Sequence, residues 1–176
     1  ANSKLFISKE GALRDFLSDK DFDVVDVDSP SLSDKQANIL KIFKDHPDKE
    51  ALIITYPNNA KKLAATKQSI PPILDDMAQV VGMSLKYVSD NNEYSKALKW
   101  RNCLLLSDGG LLAIGRTVEE AVVATLVAEK AAMCYFEAKK LGGSKAINKL
   151  RSALMFMVYK NKYSKENIKR QKERII

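Results

Sequence analysis

Two apolar runs, Cys103-Leu104-Leu105-Leu106-Ser107 and Gly110-Leu111-Leu112-Ala113-Ile114-Gly115, flank Asp108-Gly109 and lead straight into a long helical segment. Asp-Gly between such runs predicts a β-hairpin with a two-residue turn, because both central residues accept positive φ. Along the chain such strand-like runs alternate with helical segments, and this alternation of elements predicts three layers. A phosphate cradle is the competing reading of Gly110 and Gly115. It lacks a following Lys-Ser/Thr pair, and the glycine spacing fits no nucleotide fingerprint.

The helix after the hairpin opens with Thr117 and carries Glu120 three residues on, a capping box in which each side chain satisfies a free backbone amide. Its middle, Ala121-Val122-Val123-Ala124-Thr125-Leu126-Val127-Ala128, is apolar on every side, so it needs cover from its own sheet and from a neighbouring subunit. Leu141-Gly142-Gly143 ends it in the left-handed manner. Upstream, Leu5-Phe6-Ile7 and Phe22 to Asp28 read as strands, with Val25-Asp26-Val27-Asp28 alternating apolar and acidic. Asp26 and Asp28 share one wet face but lack a third ligand or a calcium loop, so they read as solvated. Ser33 caps a helix from Asp34 to Asp45 that ends at Pro47, and Ala51 to Tyr56 reads as a strand. Pro57 opens a helix carrying Ala60, Leu63 and Ala64, another helix follows Pro71-Pro72, and Met83 to Val88 is a further strand. The resulting expectation is an α/β fold of three layers.

With 176 residues, 45% of them hydrophobic, the chain buries one ordinary core. No apolar run approaches the roughly 20 residues of a membrane span. The single His46 and the distant Cys103 and Cys134 exclude a His-rich or Cys-rich zinc site within one subunit. Two cysteines without Cys-x-x-Cys spacing suit a reducing compartment, so the cytoplasm is the expected location and each thiol reads as a small core side chain. The net charge of +7 is uneven: residues 159–176 hold seven Lys and Arg against two Glu. This segment reads as a solvated, basic, helical tail after a single domain over 1–158. Its lysines, with Tyr159 and Tyr163, offer a nucleic-acid or acidic-surface reading that no motif supports.

The order of parts resembles the class II aldolase and adducin head family, which includes fuculose and rhamnulose phosphate aldolases and ribulose phosphate epimerase. His46-Pro47-Asp48 through Tyr56-Pro57 is similar to its Arg-Pro-Asp, strand and His-x-His-Pro segment. Leu104 to Thr117 resembles its strand, Asn-His-Gly turn, strand and Gly-Lys-Ser/Thr start, and Val118 to Gly142 its Glu-Ala long helix. Leu5 to Leu17 resembles its opening strand and Thr-Pro-x-Gly pattern. The resemblance implies a central, mostly antiparallel sheet between helices, assembly as a homo-oligomer on the model of the family's tetramers, and active sites between subunits.

It also implies where chemistry belongs. The family binds a divalent metal through three histidines and moves protons with a Glu. Residue by residue, the His-x-His pair falls on Ile54 and Tyr56, the helical metal His on Leu126, the Asn-His-Gly turn on Asp108-Gly109-Gly110, and the Glu on Lys35. The phosphate-binding Thr-Gly and Ser-Ser fall on Glu10-Gly11 and Ser33-Asp34, which leaves Gly11, Ser33 and Tyr56 as candidate ligand contacts. An aldolase of this type needs a Lewis acid for its enediolate, and Ile and Leu hold none. The expectation is therefore a protein without metal or cofactor: a non-catalytic oligomeric binding or scaffolding module for an unidentified ligand. The alternatives are a sugar-phosphate aldolase or epimerase with chemistry relocated to Tyr56, Asp108, Lys35 and His46, or anionic-partner binding through the tail.

Overall fold

The computed structural model describes residues 4–8, 18–27 and 32–163; the rest of the Leu5 to Leu17 stretch, with Glu10 and Gly11, and also Asp28 and residues 164–176 lie outside them. By its internal contacts the chain divides into two compact units, Ala1–Lys41 and Ile42–Ile176.

In the first unit, strands β1 (Lys4–Ser8) and β2 (Phe22–Asp26) form an antiparallel ladder that runs from Lys4 opposite Asp26 to Ser8 opposite Phe22. Leu5 faces Val25 on one side of this ribbon, while Phe6 and Val24 face each other on the other side and are exposed. Helix α1 (Asp34–Asp45) starts at the predicted residue. Ser33 Oγ accepts from the Gln36 amide at 3.3 Å and Gln36 Oε1 accepts from the Ser33 amide at 2.8 Å, a reciprocal cap.

The second unit is built on a four-stranded sheet in the order β3 (Ala51–Thr55), β6 (Leu111–Gly115), β5 (Cys103–Leu106), β4 (Lys86–Val88). The first two pairings are antiparallel and only β5 with β4 is parallel, so the sheet is mostly antiparallel as the resemblance implies. Strand alternation sorts its side chains between two cores. Cys103, Leu105, Leu111 and Ala113 point to a face covered by α2 (Asn58–Ala65), α4 (Val118–Lys140) and a short π-helical turn (Met77–Val81). Leu104, Leu106, Leu112 and Ile114 point to the other, where Ile42 and α3 (Tyr94–Ala97) with Leu98 complete the packing. Both hairpin strands are thus buried on both faces, as their unbroken apolar runs require.

Three local expectations are corrected. The β5–β6 connection has three residues, because the Leu106 amide bonds the Gly110 carbonyl at 2.8 Å and the Gly109 amide bonds back to Leu106 at 3.1 Å. Only Gly109 takes positive φ, 88°, so Ser107 and Asp108 form an ordinary turn followed by a left-handed glycine. Pro57 is the residue before α2, not its first helical residue; its ψ of 160° is extended and its ring offers no cap. After Pro71-Pro72 the chain is helical from Asp75 as expected, but its Met77–Val81 part is a π turn rather than regular α-helix. Asp76 caps that turn by accepting from the Met77 amide, and the turn ends at Gly82, φ 110°. Asn102 holds this end in place, its side-chain amide donating to the Val80 carbonyl and its backbone amide to Val81, both at 2.9 Å.

Helix α4 has the predicted start. The Glu120 amide donates to Thr117 Oγ1 at 3.3 Å, and Glu120 Oε2 accepts from the Arg116 amide, one residue earlier than the usual box. Its inward face is made of small residues, Ala121, Ala124, Ala128, Ala131 and Ala132, which lets the helix axis lie close to the sheet. At its end Gly142 and Gly143 take φ of 102° and 111°, and the Gly143 amide returns to Ala138 at 2.8 Å. Helix α5 (Lys149–Val158) runs on into a π turn (Tyr159–Tyr163), the described part of the basic segment.

Candidate functional site

Three elements of the second unit converge at the C-terminal end of β3: the strand end itself with Tyr56, the β5–β6 turn with Asp108, and the start of α3 with Tyr94. The Tyr56 hydroxyl donates to Asp108 Oδ2 at 3.2 Å, while Asp108 Oδ1 accepts from the Gly110 amide at 2.9 Å. One carboxylate therefore fixes the turn and holds the phenol. Burial raises the Tyr56 phenol above its ordinary range, and the charge and hydrogen bond of Asp108 add to the effect. The Tyr94 phenol is raised too, by burial first and then by Asp108, Tyr56 and Asp90. Both hydroxyls stay protonated at neutral pH, and that of Tyr56 donates to a carboxylate.

The surroundings are close. A Cβ at Gly110 would meet Tyr56 Cε1 at 3.1 Å and Asp108 Oδ1 at 3.0 Å, and one at Gly109 would meet the Lys61 side chain at 2.8 Å. Gly109 and Gly110 are thus where the turn passes under Tyr56 and against α2. The strand-to-helix corner that carries Tyr56 is held by a residue that sequence reasoning missed. Glu129 of α4 caps α2: Oε1 accepts from the Asn59 amide and side-chain Nδ2, and Oε2 from the Ala60 amide, all at 2.8 Å. Pro57 leaves the helix start without a local cap, and a carboxylate 70 residues on fills the place.

The other predicted residues fall elsewhere. Ile54 lies on β3 beside Tyr56 but packs into the core shared with Ile42 and Leu98. Leu126 sits on the outward face of α4, 62% exposed, and α4 covers the opposite sheet face from Ile54. The structure therefore does not bring Leu126 to the Tyr56 end, because the helical period that turns Ala124 and Ala128 inward turns Leu126 out. Ser33 caps α1 and Lys35 is exposed on its first turn, both in the first unit. His46 Nε2 bonds the Ser95 carbonyl at 3.0 Å, so this imidazole is engaged in joining the end of α1 to α3. Beside it the Ser95 hydroxyl donates to Asp45.

The residue types at the Tyr56 end decide what they can hold. Among the described residues no group of three His, Cys, Asp or Glu is placed to hold a metal ion. Tyr56 and Asp108 supply two oxygens already bonded to each other, which does not fit a three-histidine divalent site. Around Tyr94 the charges of Asp108 and Asp90 are negative, while the Lys61 side chain lies against Gly109 of the same turn.

A second polar cluster lies at the N-terminal end of β3. Asp48 Oδ2 is 3.0 Å from Lys160 Nζ and 3.8 Å from Arg116 Nη2. Burial alone would raise the Asp48 carboxyl, but the Lys160 bond and the charges of Lys49, Lys160 and Arg116 hold it below its ordinary range. The neighbouring Lys49 is buried, which lowers its ammonium despite Asp48 and Glu120 nearby. Tyr159 packs into the core beside this cluster, so the root of the basic segment is tied to the sheet. Neither cysteine is paired, and burial raises the Cys103 thiol far beyond reactivity.

Several solved structures share this architecture at low identity. An L-fuculose 1-phosphate aldolase matches with a TM-score of 0.75 at 21% identity, covering 89% of this chain and 80% of that one. YgbL of Escherichia coli matches with a TM-score of 0.70 at 15% identity, covering 87% and 82% respectively. An L-fuculose-1-phosphate aldolase of Thermus thermophilus matches with a TM-score of 0.64 at 17% identity, covering 80% of each chain. No curated protein sequence matches the chain. The model of the class II aldolase and adducin N-terminal domain matches residues 1–136, through the hairpin and most of α4, and the chain belongs to that family.

Proposed function

We propose that this family member binds a ligand or partner without performing metal-assisted carbon–carbon cleavage, and that it works as a homo-oligomer. One observation carries the reading. Where the resemblance puts a metal histidine and the Asn of the turn, Tyr56 and Asp108 are hydrogen-bonded to each other, with apolar Ile54 at the other histidine position. Cleavage through an enediolate needs a Lewis acid beside the developing charge, and a phenol locked to a carboxylate supplies none. The carboxylates favour a neutral or cationic ligand over a sugar phosphate. On this reading one aldolase-type domain extends over 1–158, the segment from 159 is a basic appendage, and the protein resides in the cytoplasm, where free Cys103 and Cys134 suit the reducing conditions.

The test is metal analysis of the purified chain, thermal shifts with zinc, manganese and cobalt, and turnover assays on a panel of sugar phosphates. The expected result is no stoichiometric metal, no metal-dependent shift and no turnover. One bound metal per chain, or turnover abolished by a chelator, overturns the reading. A second reading draws on the same hydrogen bond, since a phenol paired with a carboxylate can relay a proton. Metal-independent turnover lost in Tyr56→Phe would establish it.

A further inference from the structure

Residues 138–165 contain eight Lys and Arg and no Asp or Glu, and helix α5 lies within them. One side of α5 packs on the Met77–Val81 turn and buries Ser152 and Phe156. At 3.6 residues per turn the opposite side presents Leu150, Leu154, Met157 and Val158 within about 100° of arc, with Lys149 and Arg151 beyond its two edges. The four apolar side chains are 80%, 57%, 41% and 46% exposed. Lys149 and Arg151 are exposed as well and take part in none of the ion pairs of the described residues. Past the helix Lys160 is held by Asp48, and in sequence the excess of Lys and Arg continues through residues 159–176.

Charge and apolarity together select the occupant. A second copy of α5 laid on the first would set Lys149 and Arg151 against their own kind, with no carboxylate in the stretch to receive them. A nucleic-acid backbone would meet the cations but leave four aliphatic side chains without a partner, since bases stack on aromatic rings and the stripe has none. An acidic helix could cover the stripe, yet the cations run well past both ends of it. A sheet of anionic headgroups over acyl chains matches both features, because it accepts an apolar stripe of any length and cations at any spacing. We propose that the outward face of α5 docks on an anionic lipid surface, with Leu150 and Leu154 among the upper acyl carbons and Lys149 and Arg151 at the headgroups. The ten residues of α5 make a helix about 15 Å long, half the thickness of a bilayer's hydrocarbon, so it lies along the surface and not through it. The proposal does not depend on whether the Tyr56 corner is catalytic.

Co-sedimentation of the full chain with lipid vesicles tests it. The chain is expected to bind vesicles of phosphatidylcholine mixed with phosphatidylserine, to bind pure phosphatidylcholine far less, and to lose affinity as salt rises. Leu154→Gln should lower the affinity about tenfold, and Leu154→Met should leave it unchanged. Lys149→Gln together with Arg151→Gln should lower it about thirtyfold. All three positions are exposed, so the urea midpoints of these variants should match that of the wild type. Binding that survives Leu154→Gln and weakens only in the charge variant overturns the proposal, because the contact is then electrostatic alone. A chain that ignores the vesicles overturns it too. In that case retardation of RNA assigns the basic stretch to nucleic acid, and an oligomer that Leu154→Gln dissociates assigns the face to another copy. The metal and turnover results stand apart from every one of these outcomes.

Discussion

Removing Glu129 tests whether α2, and with it the Tyr56 corner, depends on a cap supplied by α4. In Glu129→Ala the Asn59 and Ala60 amides and the Asn59 side chain each lose a 2.8 Å partner. Loss of an ordinary cap costs about 1 kcal/mol per donor. Two backbone donors, a side-chain donor and the charge at the helix N-terminus together give about 3 kcal/mol, part of it recovered by water reaching the helix end. At this chain length that corresponds to a fall in Tm of roughly 6–12 °C. Glu129→Gln keeps one acceptor oxygen but turns an amide donor toward another, and should cost about half as much. Urea unfolding followed by circular dichroism reads both values. A Glu129→Ala loss below about 1 kcal/mol, or a Gln variant as damaging as Ala, would refute the assignment of Glu129 as the cap.

Asp108→Asn keeps the turn-holding oxygen but removes the charge, so the Tyr56 phenol should titrate closer to its ordinary range in an ultraviolet titration, with stability changed by less than about 1 kcal/mol. Gly82→Ala should cost about 3 kcal/mol in urea unfolding, since φ is 110° and a Cβ would lie 2.3 Å from the Trp100 carbonyl oxygen. Burial lowers Lys49, so the unfolded chain binds more protons between the folded and unfolded values of that ammonium. Stability contributed by this group should rise as pH increases toward about 10.5, and Lys49→Met should flatten that rise in unfolding measured from pH 8 upward. Asp48 has the opposite origin: its lowered carboxyl is stabilising above the unfolded value and that contribution is lost as acid protonates it in the folded state. Asp48→Asn should therefore lessen the acid sensitivity of unfolding below about pH 4.

Much of the fold was legible because its signals are local. The unbroken runs of β5 and β6, the Thr117 box and the paired glycines after α4 each fix a backbone choice within a few residues. The turn was misjudged because Asp-Gly suits two loop lengths, and only the pairing of Leu106 with Gly110 separates them. Pro71-Pro72 marks a helix start but not the π form at Met77–Val81, because Asn102, whose bond to Val80 holds its end, lies 22 residues downstream. At the candidate site, Tyr56 and Asp108 were singled out by resemblance, while Tyr94 and Glu129 were not. Both arrive from distant segments, and no local pattern shows that a glutamate on one helix caps another.

The two ends of β3 separate what the fold requires from what a reaction would require. Its middle residues, Leu52, Ile53 and Ile54, are held by the cores on either face and need only be apolar and of the right size. At its C-terminal end the polar groups are used in keeping the backbone in place: Asp108 Oδ1 closes the hairpin turn, Oδ2 holds Tyr56, and Glu129 anchors the helix that follows. Each of these bonds holds the same strand-to-helix corner. Tyr56 itself remains half exposed at this corner. Moving either oxygen of Asp108 to another partner would release the turn or the phenol, so this one carboxylate couples the hairpin to the residue that follows β3.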